Sequence, residues 1–581
     1  MKLSKEVFRL AVVYVIFAFG AVIAGGGVFV GYKMIKRYVN RPVRFNPKVD
    51  FPIVDGVRVF AASSLDRIFL DGKTLQEPAY TEQVSLSLAR HEYESFQVVV
   101  EAVDRPVKQV SMDISDLIHE NGKERIPRGQ LSWRVVGYVK TERPYYPVKY
   151  VGLWPDPLLP ARATDIEQGQ TQPFWITLYA PRHTAPGIYN GTVSVKIPDS
   201  QPREIPLTVR IYNFTLPVES SMQTAFDFYP HVTSSRYPQK DNESDEAYHA
   251  RIEALNDNFL RTMLRYRINP ILNVDPTNSE EMARVDRYRV LGLNRFSVGK
   301  RGGTFNNNWP KSDQDIEKLL LTYRTYGEIL RLNKFLNYNY IYTWDEGEIG
   351  KPVVAKICSM IHRAYPGLKN LVCYHGFWDP EAHPEWGKDI DIWCFQIDNF
   401  DESAIRKLQS KGVEVWTYPS GPSGLKTPNL AMDFDSIDYR ILPWLCWKYD
   451  IKGILYWCVN WWVNADPFET ARNTRWKQNG NGLLFYPGET GPLVSLRLEL
   501  IRDGMEDYEY ISGLMSRLKS IRHLKRDPRY TKVFEVSLRY LRVDQTVAQS
   551  MDDYNRNGED LKQRRDIIAG QIEEFDRIHN Q

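Results

Sequence analysis

Two textures of hydrophobic pattern divide the chain. Between about residues 57 and 214, apolar and polar positions alternate in short runs: Val84–Ala89, Phe96–Val100, Trp175–Tyr179, Thr192–Ile197 and Leu207–Tyr212. Alternation at period two marks strands, whose successive side chains face opposite sides. Pro186-Gly187 and Asn190-Gly191 punctuate these runs as turns. Helical periodicity is nearly absent, so residues 56–216 are predicted to form a β-sandwich.

After Leu216-Pro217 short apolar runs alternate with helical stretches. The predicted strands are Ala225–Phe228, Pro270–Val274, Arg295–Val298, Phe335–Tyr340, Asn370–Tyr374, Ile390–Gln396, Val413–Tyr418 and Gly453–Val459. Predicted helices between them include Asp245–Tyr266, Ser312–Leu332 and Pro352–Tyr365. Eight strands with intervening helices read as a (β/α)8 barrel over residues 217–495. An open doubly wound sheet fits less well, because no glycine-rich phosphate loop follows the first strand. Residues 496–581 read as helices. In the last, Gly558 to His579, Leu561, Ile568, Ile572 and Phe575 share one face, which is expected to pack on the barrel.

The N-terminus follows a third pattern. Residues 1–9 form a short flank, and Leu10 to Tyr32 run without a charge, long enough to cross a bilayer as one helix. A signal peptide cut after Val22-Ile23-Ala24 is the competing reading. The apolar run continues past that point to Tyr32, which favours an uncleaved transmembrane anchor over residues 10–32. Basic residues on both flanks leave its orientation undecided by charge. Residues 33–55, with Pro42, Pro47 and Pro52, read as an extended tether. The fold class expected is thus multidomain α/β: transmembrane anchor, β-sandwich, (β/α)8 barrel and C-terminal helical extension.

Composition narrows the partners. With 43% hydrophobic and 25% charged residues, neither disorder nor a multi-span membrane protein fits. Lys+Arg of 75 against Asp+Glu of 72 gives no electrostatic argument for nucleic acid. The cysteines (358, 373, 394, 446 and 458) form no Cys-x-x-Cys pair, so neither a disulfide scaffold nor a zinc motif is expected. Aromatics are abundant, with 15 Trp, 34 Tyr and 25 Phe, and such rings can stack against flat apolar ligand faces.

In a barrel of this kind the chemistry sits at the C-terminal ends of the strands. The predicted fourth strand is followed by Tyr342-Thr-Trp-Asp345-Glu346-Gly-Glu348. Consecutive residues on a regular strand face apart, so only an irregular strand end can aim Asp345 and Glu346 into one pocket. Paired carboxylates there suit acid/base work on a glycosidic bond, one being held protonated by its neighbour's charge. The plainer reading makes Asp345 a helix cap and Glu346 a solvated residue. Four other strand ends carry aromatic rings beside polar groups, the mixture that sugars require. From these come the candidate substrate-binding residues His375, Trp378, Asp398, Trp416, Tyr418, Trp457, Asn460 and Trp461. His375 has no second histidine at ligand spacing, so no metal is expected, and no organic cofactor either. A Gly-x-Ser-x-Gly elbow is absent.

At these residues the chain resembles glycoside hydrolase family 123 and its relatives, uncharacterised domain family 4091. The likeness is carried by Asp345-Glu346 and by Glu414-Val-Trp416-Thr-Tyr418 through Asp438-Tyr-Arg440-Ile-Leu-Pro-Trp444 to Gly453-Ile-Leu-Tyr-Trp457-Cys-Val-Asn460. It continues through Gly482-Leu-Leu-Phe-Tyr486-Pro-Gly488 and Arg497-Leu-Glu499-Leu-Ile-Arg502-Asp503-Gly504-Met-Glu506-Asp507-Tyr508-Glu509-Tyr510. Weaker likeness at Glu92-Tyr-Glu-Ser-Phe96-Gln97 and Pro186-Gly-Ile-Tyr189-Asn-Gly191 extends it to about residues 56–515. The resemblance implies a β-sandwich before a (β/α)8 barrel and retaining, substrate-assisted hydrolysis of β-linked N-acetylgalactosamine. It implies Glu346 as general acid/base and Asp345 as the group that orients and stabilises the acetamido group. After the pair this chain has Gly347-Glu348 where many relatives carry a proline, adding a third carboxylate. The Arg502-Asp503-Gly504 block is expected to be a structural ion-pair network.

The expected function is a membrane-anchored β-N-acetylhexosaminidase acting on a glycan, its body in the periplasm or outside the cell. Two alternatives remain at this point: a glycosidase for a non-acetamido polysaccharide, and a non-catalytic tethered carbohydrate-binding or polysaccharide-assembly protein.

Overall fold

The computed structural model describes residues 48–299, 304–305, 309–346, 352–382, 384–385, 387–421, 424, 426–463, 465–473, 477–521, 523 and 527–580. The predicted anchor lies outside the described residues. Among the described residues no helix is long and apolar enough to cross a membrane.

The N-terminal part is β-sandwich-like. One sheet orders the strands Val57–Ser63, Glu92–Ala102, Thr171–Ala180, Leu131–Lys140 and Leu153–Leu159. The other orders Val84–Arg90, Arg203–Thr215, Gly187–Lys196, Val107–Ile114 and Thr164–Ile166. Alternation does what it predicts: Phe96, Val98 and Val100 face inward with Phe174, Ile176 and Leu178, and meet Val193, Val195, Leu207 and Val209 of the other sheet.

The second part is a nearly closed parallel barrel. Gln223–Phe226, Gly453–Tyr456, Glu414–Tyr418, Ile392–Gln396, Asn370–Tyr374, Asn339–Asp345 and Phe296–Ser297 are neighbours in that order. Residues 270–274 fill the gap between the ends through two single parallel bridges, Phe226 with Pro270 and Val274 with Val298. All eight predicted staves are therefore present. The second forms no regular strand because Pro270 has no N–H to give and Asn273 takes a left-handed backbone, φ 53°.

The fourth stave differs from expectation. Phe335–Tyr340 was the predicted strand; instead Leu336–Tyr338 make a 3-10 turn, and the strand runs Asn339–Asp345. Phe335 packs in the core at the preceding helix end. Asn339, fully buried, bonds the Leu336 and Gly367 carbonyls and accepts from the Lys369 N–H, pinning where the strand begins. The consequence is functional, since Asp345 ends the strand instead of following it.

The helix Leu496–Ser520 joins the two parts and is buried over most of its length despite its charges. Arg497 pairs with Asp156 of the sandwich (2.8 Å), and Glu506 with Arg267 of the barrel (3.2 Å). Arg440, on the helix Ser436–Tyr449, bonds Asp507 (2.9 Å) and Glu94 (3.2 Å). Gly504 allows that helix pair to touch, since a Cβ there would stand 2.5 Å from the Arg440 carbonyl oxygen. The Arg502-Asp503-Gly504 block thus belongs to a structural ion-pair network. The helix Gly558–His579 buries Leu561, Ile568, Ile572 and Phe575. It packs on Leu496–Ser520, on Pro528–Leu541 and on the sandwich strand Arg203–Thr215, so this face meets the sandwich side instead of the barrel staves.

Candidate active site

A cavity of about 700 Å³ opens at the C-terminal ends of the barrel staves, and Asp345 and Glu346 both line it. Two backbone irregularities make this possible. The register of Asn339–Asp345 against Asn370–Tyr374 slips between Tyr342 and Trp344, inserting one extra residue. Glu346 then adopts a left-handed backbone, φ 47°, which a long side chain rarely takes. Its N–H is tied to the Cys373 carbonyl at 3.0 Å, so the neighbouring stave over-determines this turn.

Each carboxylate has its own tyrosine. Tyr342 donates its hydroxyl to Asp345 Oδ1 at 2.8 Å, and Tyr418 donates to Glu346 Oε1 at 2.7 Å. His375 Nδ1 stands 3.7 Å from the same Glu346 oxygen and 3.1 Å from the Tyr418 hydroxyl. Burial raises the Asp345 carboxyl above its ordinary range, and the charge of Glu346 adds to this; the Tyr342 bond and His375 oppose it. The Tyr418 hydroxyl is raised strongly, first by burial, which keeps it a proton donor throughout.

Opposite the pair is an aromatic corner. Trp461 makes edge contacts with Tyr229 (centroids 5.4 Å apart) and packs tilted on Trp457 (5.4 Å). Trp457 donates its indole N–H to Asn481 Oδ1 at 2.9 Å. Gly482, φ 80°, lies under that ring; a Cβ there would stand 2.3 Å from Trp457.

Of the predicted binding residues, His375, Tyr418, Trp457 and Trp461 line the cavity, and the other four lie elsewhere. Trp416 points inward like Tyr418 but sits two residues deeper, fully buried in the barrel interior against Tyr340, its N–H bonded to Glu414. Trp378 is buried against Trp393. Asp398, half-buried, accepts from the Thr427 hydroxyl and does not line the cavity. Asn460 is fully buried and clamps the Tyr229 backbone, accepting from its N–H (2.9 Å) and donating to its carbonyl (3.0 Å). It positions a wall residue without being one. Glu348 lies outside the described residues.

The cavity also has walls not picked out as candidates. Asp227 and Tyr229 end the first stave and Gln396 the sixth, positions that the strand-end rule marks. Tyr145, Gln478 and Asn481 carry no such signal. Tyr145 comes from the sandwich, between Leu131–Lys140 and Leu153–Leu159, and accepts a 2.6 Å hydrogen bond from Gln478. Among the described residues no cluster of His, Cys, Asp or Glu could hold a metal ion.

Comparison with known proteins decides the family. The glycoside hydrolase 123 catalytic domain matches residues 329–514, and the glycoside hydrolase 123 N-terminal domain matches residues 74–197. The chain belongs to glycoside hydrolase family 123. It is accordingly a glycoside hydrolase, and the non-catalytic alternative falls. A solved family 123 glycoside hydrolase from Clostridium perfringens, studied for glycolipid glycan hydrolysis, shares the fold: TM-score 0.65 at 16% identity, over 90% of this chain and 98% of that one. A GH5 xyloglucanase of Bacteroides ovatus (TM-score 0.25, 9% identity, 72% of this chain and 98% of that one) is too distant to inform this chain. So is a family 39 glycoside hydrolase of Bacteroides cellulosilyticus (0.31, 10%, 64% and 77%). Comparison with curated proteins gives no match.

Proposed function

We propose that this glycoside hydrolase is a retaining β-N-acetylhexosaminidase, N-acetylgalactosaminidase-like, working by substrate assistance. The reading rests on one observation above all: two consecutive carboxylates face one cavity, each held by its own tyrosine. The 2-acetamido oxygen of the bound sugar attacks the anomeric carbon as the bond to the leaving oxygen breaks. Glu346 gives its proton to that oxygen. Asp345 accepts from the acetamido N–H and balances the positive charge of the oxazolinium. Water then attacks the same carbon, Glu346 takes its proton, and two inversions sum to retention. The Tyr229–Trp457–Trp461 corner offers ring faces to the C–H face of the sugar.

The solved relative's glycolipid glycan hydrolysis makes a glycan on a membrane lipid a fitting substrate here. An anchor at residues 10–32 would hold the body at a membrane surface, in the periplasm or outside the cell. The test is release of 4-nitrophenol from β-N-acetylgalactosaminide, β-N-acetylglucosaminide and their non-acetylated parents by the full chain, wild type and Glu346→Gln. Cleavage of an acetamido sugar that falls by about 10²–10⁴-fold in the variant supports the reading. Cleavage of the non-acetylated parents alone would defeat it in favour of a non-acetamido glycosidase.

A further inference from the structure

We propose that Gln396 is a positioning residue that keeps a proton on Nδ1 of His375 and thereby directs the Tyr418 hydroxyl at Glu346. The inference rests on Glu346 being the acid/base, and it follows from counting donors and acceptors. The Gln396 amide nitrogen donates to two carbonyls, Ser420 (2.8 Å) and Gly421 (3.1 Å). Turning the amide over would aim its oxygen at both, so its orientation is set. Gly421, with φ 65°, lets that turn come close: a Cβ there would stand 3.0 Å from the same nitrogen.

The Gln396 oxygen therefore faces the other way, toward Asn399 Nδ2 (3.2 Å) and His375 Nδ1 (3.2 Å). Asn399 is itself held by donation to the His375 carbonyl at 2.6 Å. An amide oxygen only accepts, so Nδ1 must carry a proton, in the neutral ring as in the charged one. That N–H also faces the Tyr418 oxygen at 3.1 Å. Tyr418 has a single proton and no acceptor left on His375 Nδ1, so it donates to Glu346 Oε1. Glu346 Oε1 is then an acceptor, and Oε2 is the oxygen left to carry the transferable proton. Without the Gln396 oxygen, Nδ1 could lose its proton and become a competing acceptor for Tyr418.

Two measurements on the full chain test this. With 4-nitrophenyl β-N-acetylgalactosaminide, Gln396→Leu is expected to lower kcat roughly tenfold with KM little changed. In a His375→Phe background the same substitution should cost little more, because its effect runs through that ring. Equal losses in both backgrounds would mean that Gln396 merely holds the Ser420-Gly421 turn, and would overturn the proposal. Neutron diffraction from the wild type should show deuterium on His375 Nδ1 and the Tyr418 deuteron aimed at Glu346; a bare Nδ1 overturns it. The neutron result needs no turnover, so this proposal is judged on its own, whatever the glycoside panel shows for the activity reading.

Discussion

Tyr342 and Asp345 are three residues apart on one strand, yet the Tyr342 hydroxyl reaches Asp345 Oδ1 at 2.8 Å. On a regular strand an odd separation points side chains to opposite faces. The register slip after Tyr342 cancels that and turns Asp345 toward the interior that Tyr342 occupies. The bond favours the charged carboxylate, against burial and the charge of Glu346. Removing it in Tyr342→Phe should raise the Asp345 pKa further. If ionised Asp345 is the active form, the acid limb of kcat/KM moves to higher pH, and a pH–rate profile on an acetamido substrate reads the shift.

Asp345→Asn should harm acetamido substrates selectively, since a neutral amide cannot balance an oxazolinium. The same change should stabilise the protein. A carboxyl raised on folding favours the native state fully below its unfolded pKa, near 3.9, and loses that contribution as pH rises through the folded value. Asparagine has no such loss. Thermal melts should place Asp345→Asn above wild type at pH 7, with the gap narrowing as pH falls toward 4. A variant melting below wild type at pH 7 would contradict the assigned direction.

Much of this site could be read from the chain, and the parts that could not have physical causes. Apolar runs mark where the eight staves lie, although the fourth begins at Asn339 instead of Phe335, and strand-end position marks Asp345, Glu346, His375 and Tyr418. Depth is another matter. Trp416 and Tyr418 share a strand face, but only the stagger of the closed barrel decides that Tyr418 meets the cavity while Trp416 fills the interior below. Asn460 ends in a polar side chain after the eighth stave, and nothing local tells a backbone clamp from a sugar ligand. Tyr145 is contributed across the junction between the two parts, where no periodicity reaches.

Tyr145 gives the sandwich a share in the cavity. The residue is 60% exposed, and its side chain is steadied by Gln478 and by an edge contact with Tyr146. Tyr146 in turn is anchored on Asp433 at 2.8 Å. A rigid exposed ring at the rim suits stacking with a sugar beyond the cleaved bond. Tyr145→Ala should raise KM for an oligosaccharide by about 2- to 10-fold, as expected for a stacking contact of about 0.5–1.5 kcal/mol. Tyr145→Phe should retain most of the affinity. Comparison of an oligosaccharide with a small aryl glycoside checks this, because the latter lacks the extra sugar and should respond little.

The buried charges around Leu496–Ser520 make the two parts one mechanical unit. Arg440 is fully buried and faces Glu94 of the sandwich together with Asp503 and Asp507 of the joining helix. Burial and these carboxylates act in opposite directions on it, and the carboxylates win, holding its guanidinium charged. Arg440→Leu would leave three acidic groups sharing Arg502 and Arg565 in the interior. Breaking a buried pair in this way costs about 3–5 kcal/mol, whereas removing both partners costs less. Denaturant titration should therefore show a large loss for Arg440→Leu and partial recovery on adding Asp507→Leu. Because Glu94 lies in the sandwich and Asp507 in the joining helix, the loss should not be confined to either part. Fluorescence and circular dichroism should trace one shared transition in the wild type. Two separated transitions in the wild type would show that the network does not couple the sandwich to the barrel.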